Sequence, residues 1–161
     1  MQATSIFATI ANDGVRMMPR LISGYSDSEG TYEPSAIDDG VRVVSPETAK
    51  TVREMLERVV SEDGTARNMQ IPGYRVGGKT GTANRYNEET GGYSGYTSSF
   101  IGMAPAEKPA LVMSVSIHNP KTSTYGSVVA GPVFKEVMTY ALAYKKVPPS
   151  TTKPPKLPVE W

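Results

Sequence analysis

The chain has no cysteine among its 161 residues, so disulfide staples are excluded, although this leaves its compartment open. No apolar run approaches the ~20 residues that a membrane-spanning helix needs. Met1-Gln2-Ala3-Thr4 also lacks the basic start of a secretory leader. Charge is nearly balanced: 17 Lys and Arg against 16 Asp and Glu leave +1. The basic residues are scattered, so nothing points to nucleic acid. His118 is the only histidine, and a lone imidazole at a strand end reads as a surface or capping residue rather than a catalyst. Glu88 and Glu89 have no metal-ligand spacing around them and read as solvated loop charges. Neither metal nor cofactor is expected, and no internal repeat is present.

What the chain does contain is a helix-and-strand pattern long enough for one domain. Residues 2–13 place Ile6, Phe7 and Ile10 on one helical face, and Gly14 can supply a left-handed cap. Residues 46–62 predict a second helix, with Ser45 as cap, Pro46 in the first turn and Glu47 complementing the dipole. Its apolar stripe is Val52, Met55, Leu56, Val59 and Val60. The pairs Lys50/Glu54, Arg53/Glu57 and Glu54/Arg58 are expected on its solvated side, worth ~0.3 kcal/mol each. A third helix from about Pro132 should bury Phe134, Val137, Met138 and Ala141. Val15–Ile22 and Val41–Val44 read as short strands flanking a polar loop.

Three longer strands are predicted: one from Tyr74 through residue 82, one over Tyr96–Ala104, and one over Ala110–Ile117. In the last, Leu111, Met113, Val115 and Ile117 alternate with smaller or more polar neighbours, the mark of a half-buried strand. Joined in sequence, they make an antiparallel meander. The expected fold is therefore α+β, with helices packed on that sheet and a two-stranded outlier. After residue 147 the chain turns proline-rich, and 148–161 should form an extended, poorly ordered tail.

The segment Gly77-Gly78-Lys79-Thr80-Gly81-Thr82-Ala83 concentrates the chemistry. Read from Gly73 to Thr80, it matches a phosphate-loop pattern. Read from Lys79, it matches the Lys-Thr-Gly motif of penicillin-binding proteins and serine β-lactamases. A phosphate loop follows a buried strand and opens a helix. Here the approach, Arg67 to Pro72, is polar and broken by proline, and the exit sustains no helical apolar period. The best candidate for a magnesium-binding strand ends in His118-Asn119-Pro120 instead of Asp. The context favours the second reading.

From Gln2 to about Val147 the chain resembles the C-terminal half of the transpeptidase domain of class B, division-type penicillin-binding proteins. The residues carrying the resemblance are Thr9–Val15, Val43–Ala49, Val76–Ala83, Ser99–Pro105 and Gly131–Phe134, blocks that keep the family's order. Of the family's three motifs only Lys-Thr-Gly is present. No Ser-x-Asn occurs, and no serine or threonine precedes lysine by three positions at a helix start. The chain thus reads as the part that begins after those motifs, with the nucleophile, the membrane anchor and two further strands upstream. On its own it should be inactive. The resemblance implies an enzyme outside the cytoplasmic membrane that cross-links peptidoglycan stems ending in D-Ala-D-Ala and is acylated by β-lactams. Its implied partners are the upstream half of the same protein and division-complex proteins.

The roles of Lys79 to Thr82 follow from strand chemistry and the resemblance together. Gly81 on an edge strand leaves the outer face bare, so another backbone can pair there. Thr80 and Thr82 offer hydroxyls to a substrate carboxylate, and Lys79 adds positive charge. The resemblance makes the Thr82 backbone N–H half of an oxyanion hole. Each has a plainer reading: a solvated lysine, ordinary strand threonines, and a bulge or close packing at Gly77 and Gly78. Tyr86, Tyr93 and Tyr96 read as residues pinning a loop to the sheet, with substrate contact the alternative. A noncatalytic peptide-docking domain and a phosphate-loop protein remain as other functional classes.

Overall fold

A computed structural model describes residues 1–155. In chain order it contains helix α1 (Gln2–Ala11) and strands β1 (Val15–Arg16), β2 (Gly24–Ser26), β3 (Tyr32–Pro34) and β4 (Val41–Arg42). Helix α2 (Pro46–Val60) and a 3-10 turn (Arg67–Met69) follow. Strands β5 (Gly77–Asn87), β6 (Gly92–Ala104) and β7 (Leu111–His118) precede helices α3 (Gly126–Val129) and α4 (Gly131–Tyr144). The long strands form an antiparallel meander in the order β5–β6–β7. The fold is the α+β arrangement the sequence predicts.

Successive residues of a strand face opposite sides, and the two glycines opening β5 reveal what covers each. A Cβ on Gly77 would lie 3.3 Å from Leu56 of α2, whereas one on Gly78 would strike the ring of Phe100. Gly102, paired with Gly78, has the same closeness to Phe134 of α4. Helices α2 and α4 therefore lie on opposite faces, and Gly78 and Gly102 make room for two aromatic rings. Phe100 and Phe134 meet edge to face with centroids 4.7 Å apart, and both are fully buried. Such burial contributes about 2 kcal/mol per ring. Met69, Met138, Leu142 and Ala130 complete the core around them, with Leu111, Met113, Val115 and Ile117 of β7 packed at its margin.

Helix α2 starts as its sequence dictates. The Ser45 hydroxyl accepts from the Thr48 N–H at 3.1 Å, and Pro46 occupies the first turn. The Glu47 carboxyl is held below the usual range by its own backbone N–H, with the Ser45 hydroxyl adding to the effect. The predicted split between apolar and charged faces holds only in part: Val52, Leu56 and Val59 are half-buried and Val60 is buried, but the charged side is not all solvated. The buried positions are Ala49, Arg53, Glu57 and Val60, while Met55 is exposed. Arg53 and Glu57 do not pair with each other. Arg53 donates to the Ile10 carbonyl at 2.9 Å and to Asp13 at 2.8 Å, tying α2 to the end of α1. Glu57 takes a bidentate pair from Arg75. Of the expected helical pairs only Lys50–Glu54 forms, at 4.0 Å, and Arg58 turns to Asp63. Tertiary partners outcompete weak pairs within the helix.

Other differences have local causes. Helix α1 stops at Ala11, with Asp13 and Gly14 both at positive φ and the Gly14 N–H bonded to Thr9 O. Ile6 is exposed there, and Phe7 and Ile10 are half-buried. Strands β1 and β4 pair as the outlier, but each has only two residues, and the loop between them holds an unforeseen hairpin, β2–β3. In α4, Leu142 is buried and Val137 faces outward. β5 begins at Gly77 rather than Tyr74, and the expected polar loop is a hairpin arm: β5 runs on to Asn87 and β6 begins at Gly92. Residues 148–155 lack regular structure but are held to the body. The Ser150 N–H donates to Gly73 O, and Arg75 engages both the Ser150 hydroxyl and Thr152. The rest of the predicted tail, 156–161, lies outside the described residues.

Candidate functional site

Among the described residues β5 is an edge strand, paired with β6 on one side only. Gly77 and Gly78 are buried, Lys79 is exposed, Thr80 and Gly81 are half-buried, and Thr82 and Ala83 are exposed. The tetrapeptide 79–82 thus lies where the strand emerges from beneath α2. It is extended and runs into a hairpin, with no helix following. A phosphate loop needs that helix N-terminus, so the nucleotide reading fails.

Lys79 pairs with Ile101 and Thr80 with Phe100, which puts their side chains on opposite faces. Their polar ends nevertheless meet: Lys79 Nζ lies 3.2 Å from Thr80 O and 3.4 Å from Thr80 Oγ1. Both heads therefore reach the rim of the sheet. At Gly81 a Cβ would stand 2.6 Å from Ser99 Oγ. The rim is bare at that position, and a side chain there would first have to displace the Ser99 hydroxyl.

A segment that sequence reasoning missed supports this rim. The Thr124 carbonyl accepts two hydroxyl bonds, from Ser98 Oγ at 2.5 Å and from Thr82 Oγ1 at 3.2 Å. Ser98 is fully buried. Two residues on, Gly126 opens α3 so close to the strands that a Cβ would overlap the Ser99 carbonyl and lie 3.1 Å from Gly81 O. Tyr125, between them, is exposed. The only sequence signal was a glycine between a polar stretch and the apolar pair Val128-Val129.

On the other side of the motif, Arg75 anchors the approach to β5. Its Nε donates to Glu57 at 2.7 Å and its Nη2 at 2.6 Å, and Glu107 stands 3.8 Å from Nε. The hydrogen bonds to Glu57 raise the Arg75 pKa above its already high ordinary value, against the effect of burial. One Glu107 carboxylate oxygen is buried without a hydrogen bond among the described residues. Helix α2, the turn after β6 and the segment at 150–152 therefore converge on one guanidinium just before the motif.

The other singled-out residues stand apart from this rim. Tyr86 and Tyr93 are cross-strand partners on the arm, packed edge to face at 5.7 Å, and both are exposed. They brace the arm on itself rather than pinning a loop to the sheet. Tyr96 is exposed lower on the same arm. His118 ends β7 and shares a 2.8 Å hydrogen bond with Thr97 opposite it. Glu88 and Glu89 occupy the arm's turn, where the Asn87 side chain accepts from the Glu89 N–H. Among the described residues no acidic or histidine cluster suits a metal, and no helix is long and apolar enough to cross a membrane. Ser150, three residues before Lys153, lies in extended chain away from any helix start.

An open β edge carrying a cation, two hydroxyls and a bare glycine has the chemistry to accept an extended peptide as an added strand. Comparison with known proteins supplies the family. The penicillin binding protein transpeptidase domain matches residues 1–139, and the chain belongs to that family. It is 36% identical to Penicillin-binding protein PbpB of Mycolicibacterium smegmatis, over 99% of this chain and 26% of the relative. It is also 36% identical to Stage V sporulation protein D of Bacillus subtilis, over 92% of this chain and 23% of that protein. Among solved structures, penicillin binding protein 3 of Mycobacterium tuberculosis complexed with ampicillin superposes with a TM-score of 0.85 at 36% identity. That match covers 96% of this chain and 36% of the other. The transpeptidase domain of penicillin-binding protein 3 from Burkholderia pseudomallei gives 0.75 at 40% identity, covering 94% and 44%. The chain spans about a quarter of the length of the curated relatives it matches.

Proposed function

We propose that this chain forms the substrate-binding half of a peptidoglycan D,D-transpeptidase, a penicillin-binding protein that cross-links stem peptides and is acylated by β-lactams. The observation that carries this reading is the outer edge of β5 at Lys79–Thr82, unpaired among the described residues, half-buried to exposed and continuous with a buried, anchored strand start. A stem peptide ending in D-Ala-D-Ala lies along that edge as a fourth strand. The Thr80 hydroxyl and the Lys79 ammonium hold its terminal carboxylate, the Thr82 hydroxyl joins them by turning its proton from the Thr124 carbonyl to the carboxylate, and Gly81 lets the backbones approach.

The Thr82 N–H supplies half of an oxyanion hole, with the other half coming from the nucleophilic serine's own N–H. That serine belongs to polypeptide outside these 161 residues. It attacks the penultimate D-Ala carbonyl, the terminal D-Ala leaves as the amine, and an acceptor amine then resolves the ester. The Lys79 charge biases the proton transfers that accompany these steps. Work at the outer face of the cytoplasmic membrane, alongside division proteins, is what the resemblance implies.

Intact-mass analysis after β-lactam exposure tests the reading. The isolated chain should gain no covalent adduct, and the polypeptide that also carries Ser-x-x-Lys should gain one per molecule. A stoichiometric adduct on the isolated chain would place the nucleophile within it and overturn this assignment.

A further inference from the structure

The open edge does not end with the four-residue motif. β5 continues as a strand to Asn87, five residues beyond Thr82, on an arm that extends past the end of β7. Lys79, Gly81, Ala83 and Arg85 share one face of it by alternation. The extra residue that bends the arm lies in β6, where Ser94 and Gly95 together oppose Arg85, so the alternation of β5 itself is unbroken. Between the two cations this face carries only a hydrogen atom and a methyl group. Arg85 is half-buried and forms no ion pair among the described residues.

The direction of a bound peptide is constrained as well. Toward Gly77 the strand is buried, with Leu56 of α2 against it. Only the run from Thr82 toward Asn87 is open. A peptide whose terminal carboxylate sits at Lys79 and Thr80, paired antiparallel, therefore places its upstream residues along Ala83 and Arg85. Three residues of strand separate Thr82 from Arg85, ~10 Å, and an arginine side chain is long enough to span part of that distance. The second or third residue on the N-terminal side of the scissile bond then falls within its reach.

We infer that Arg85 is a specificity-determining residue that binds a second carboxylate of the donor peptide, two or three residues upstream of the scissile bond. This rests on the transpeptidase reading above and adds to it the substrate class: an extended peptide with an upstream carboxylate as well as a terminal one. An arginine suits that task because its planar fork binds a carboxylate through two parallel hydrogen bonds.

The test uses the polypeptide that carries the nucleophile, with synthetic pentapeptides ending in D-Ala-D-Ala. One series has a side-chain carboxylate at the second or third upstream residue, and the other has a carboxamide there. Arg85→Gln should lower kcat/KM for the carboxylate peptides about tenfold, through KM, at the strength of one partly exposed charge-assisted contact. The carboxamide peptides and β-lactam acylation should stay within about twofold of the unsubstituted protein, and Arg85→Lys should restore part of the loss. Equal losses on both peptide series, or none on the carboxylate series, overturn the inference while leaving the transpeptidase reading intact. If the unsubstituted protein is acylated by neither peptide nor β-lactam, the transpeptidase reading fails and this inference fails with it.

Discussion

Replacing Gly126 by alanine perturbs the site through a single methyl group. The added Cβ overlaps the Ser99 carbonyl and presses on Gly81 O, both backbone atoms of the sheet. Neither can rotate away, so α3 must move outward. Thr124, two residues before, moves with it, and its carbonyl is the shared acceptor for Ser98 and Thr82. Ser98 is fully buried, and a buried hydroxyl left without its acceptor costs ~1–3 kcal/mol. Overpacking adds ~1–3 kcal/mol. The expected loss is about 3 kcal/mol in total, readable as a lower urea midpoint at constant slope. In the polypeptide carrying the nucleophile, β-lactam acylation should slow by at least tenfold, because Thr82 loses its fixed position. Gly126→Ala with an unchanged midpoint and an unchanged acylation rate would refute the claim that this segment buttresses the rim.

Three further outcomes follow from the same geometry. Glu57→Ala leaves the Arg75 guanidinium, whose side chain is only 12% exposed, without its bidentate partner. The expected loss is about 3 kcal/mol in denaturant unfolding, and a change below ~0.5 kcal/mol would show the pair to be ornamental. Phe134→Ala removes one of the two core rings that meet edge to face and should cost about 4 kcal/mol by the same assay. Asp27 is held below the usual carboxylate range by the N–H of Thr31, against the effect of desolvation, with the Glu29 N–H adding to the lowering. Its contribution to the β2–β3 turn is therefore present above the ordinary aspartate range and fades as pH falls through the lower folded value. Side-chain NMR titration should give a depressed pKa for Asp27, and an ordinary one would contradict the turn geometry.

The sequence carried the large elements where chemistry and period agreed. Ser45-Pro46-Glu47 marks a helix start by three independent signals, and β7 alternates because one face meets the core. The arm over 83–96 escaped because both of its faces meet solvent. Without a buried side there is no period to read, so its polar residues resembled a loop. The β2–β3 hairpin escaped for the same reason, since residues 15–43 include no buried position. Arg53 and Glu57 were misplaced because i,i+4 spacing suggests a helical pair, while their actual partners lie 40 and 18 residues away. At the site, Lys79 to Thr82 were legible from the motif and its glycines. The support from Ser98, Thr124 and Gly126 was not, because a shared carbonyl acceptor leaves no mark on residue type.

The central claim is that the outer edge of β5 receives the acylating peptide as an added strand. Hydrogen exchange over residues 79–85, measured in the polypeptide carrying the nucleophile before and after β-lactam acylation, tests it most directly. Pairing along the edge predicts that backbone amides in Lys79–Thr82 become protected once the adduct forms, while β7, on the far side of β6, is unchanged. Full acylation with no gain of protection in 79–82 would contradict the account.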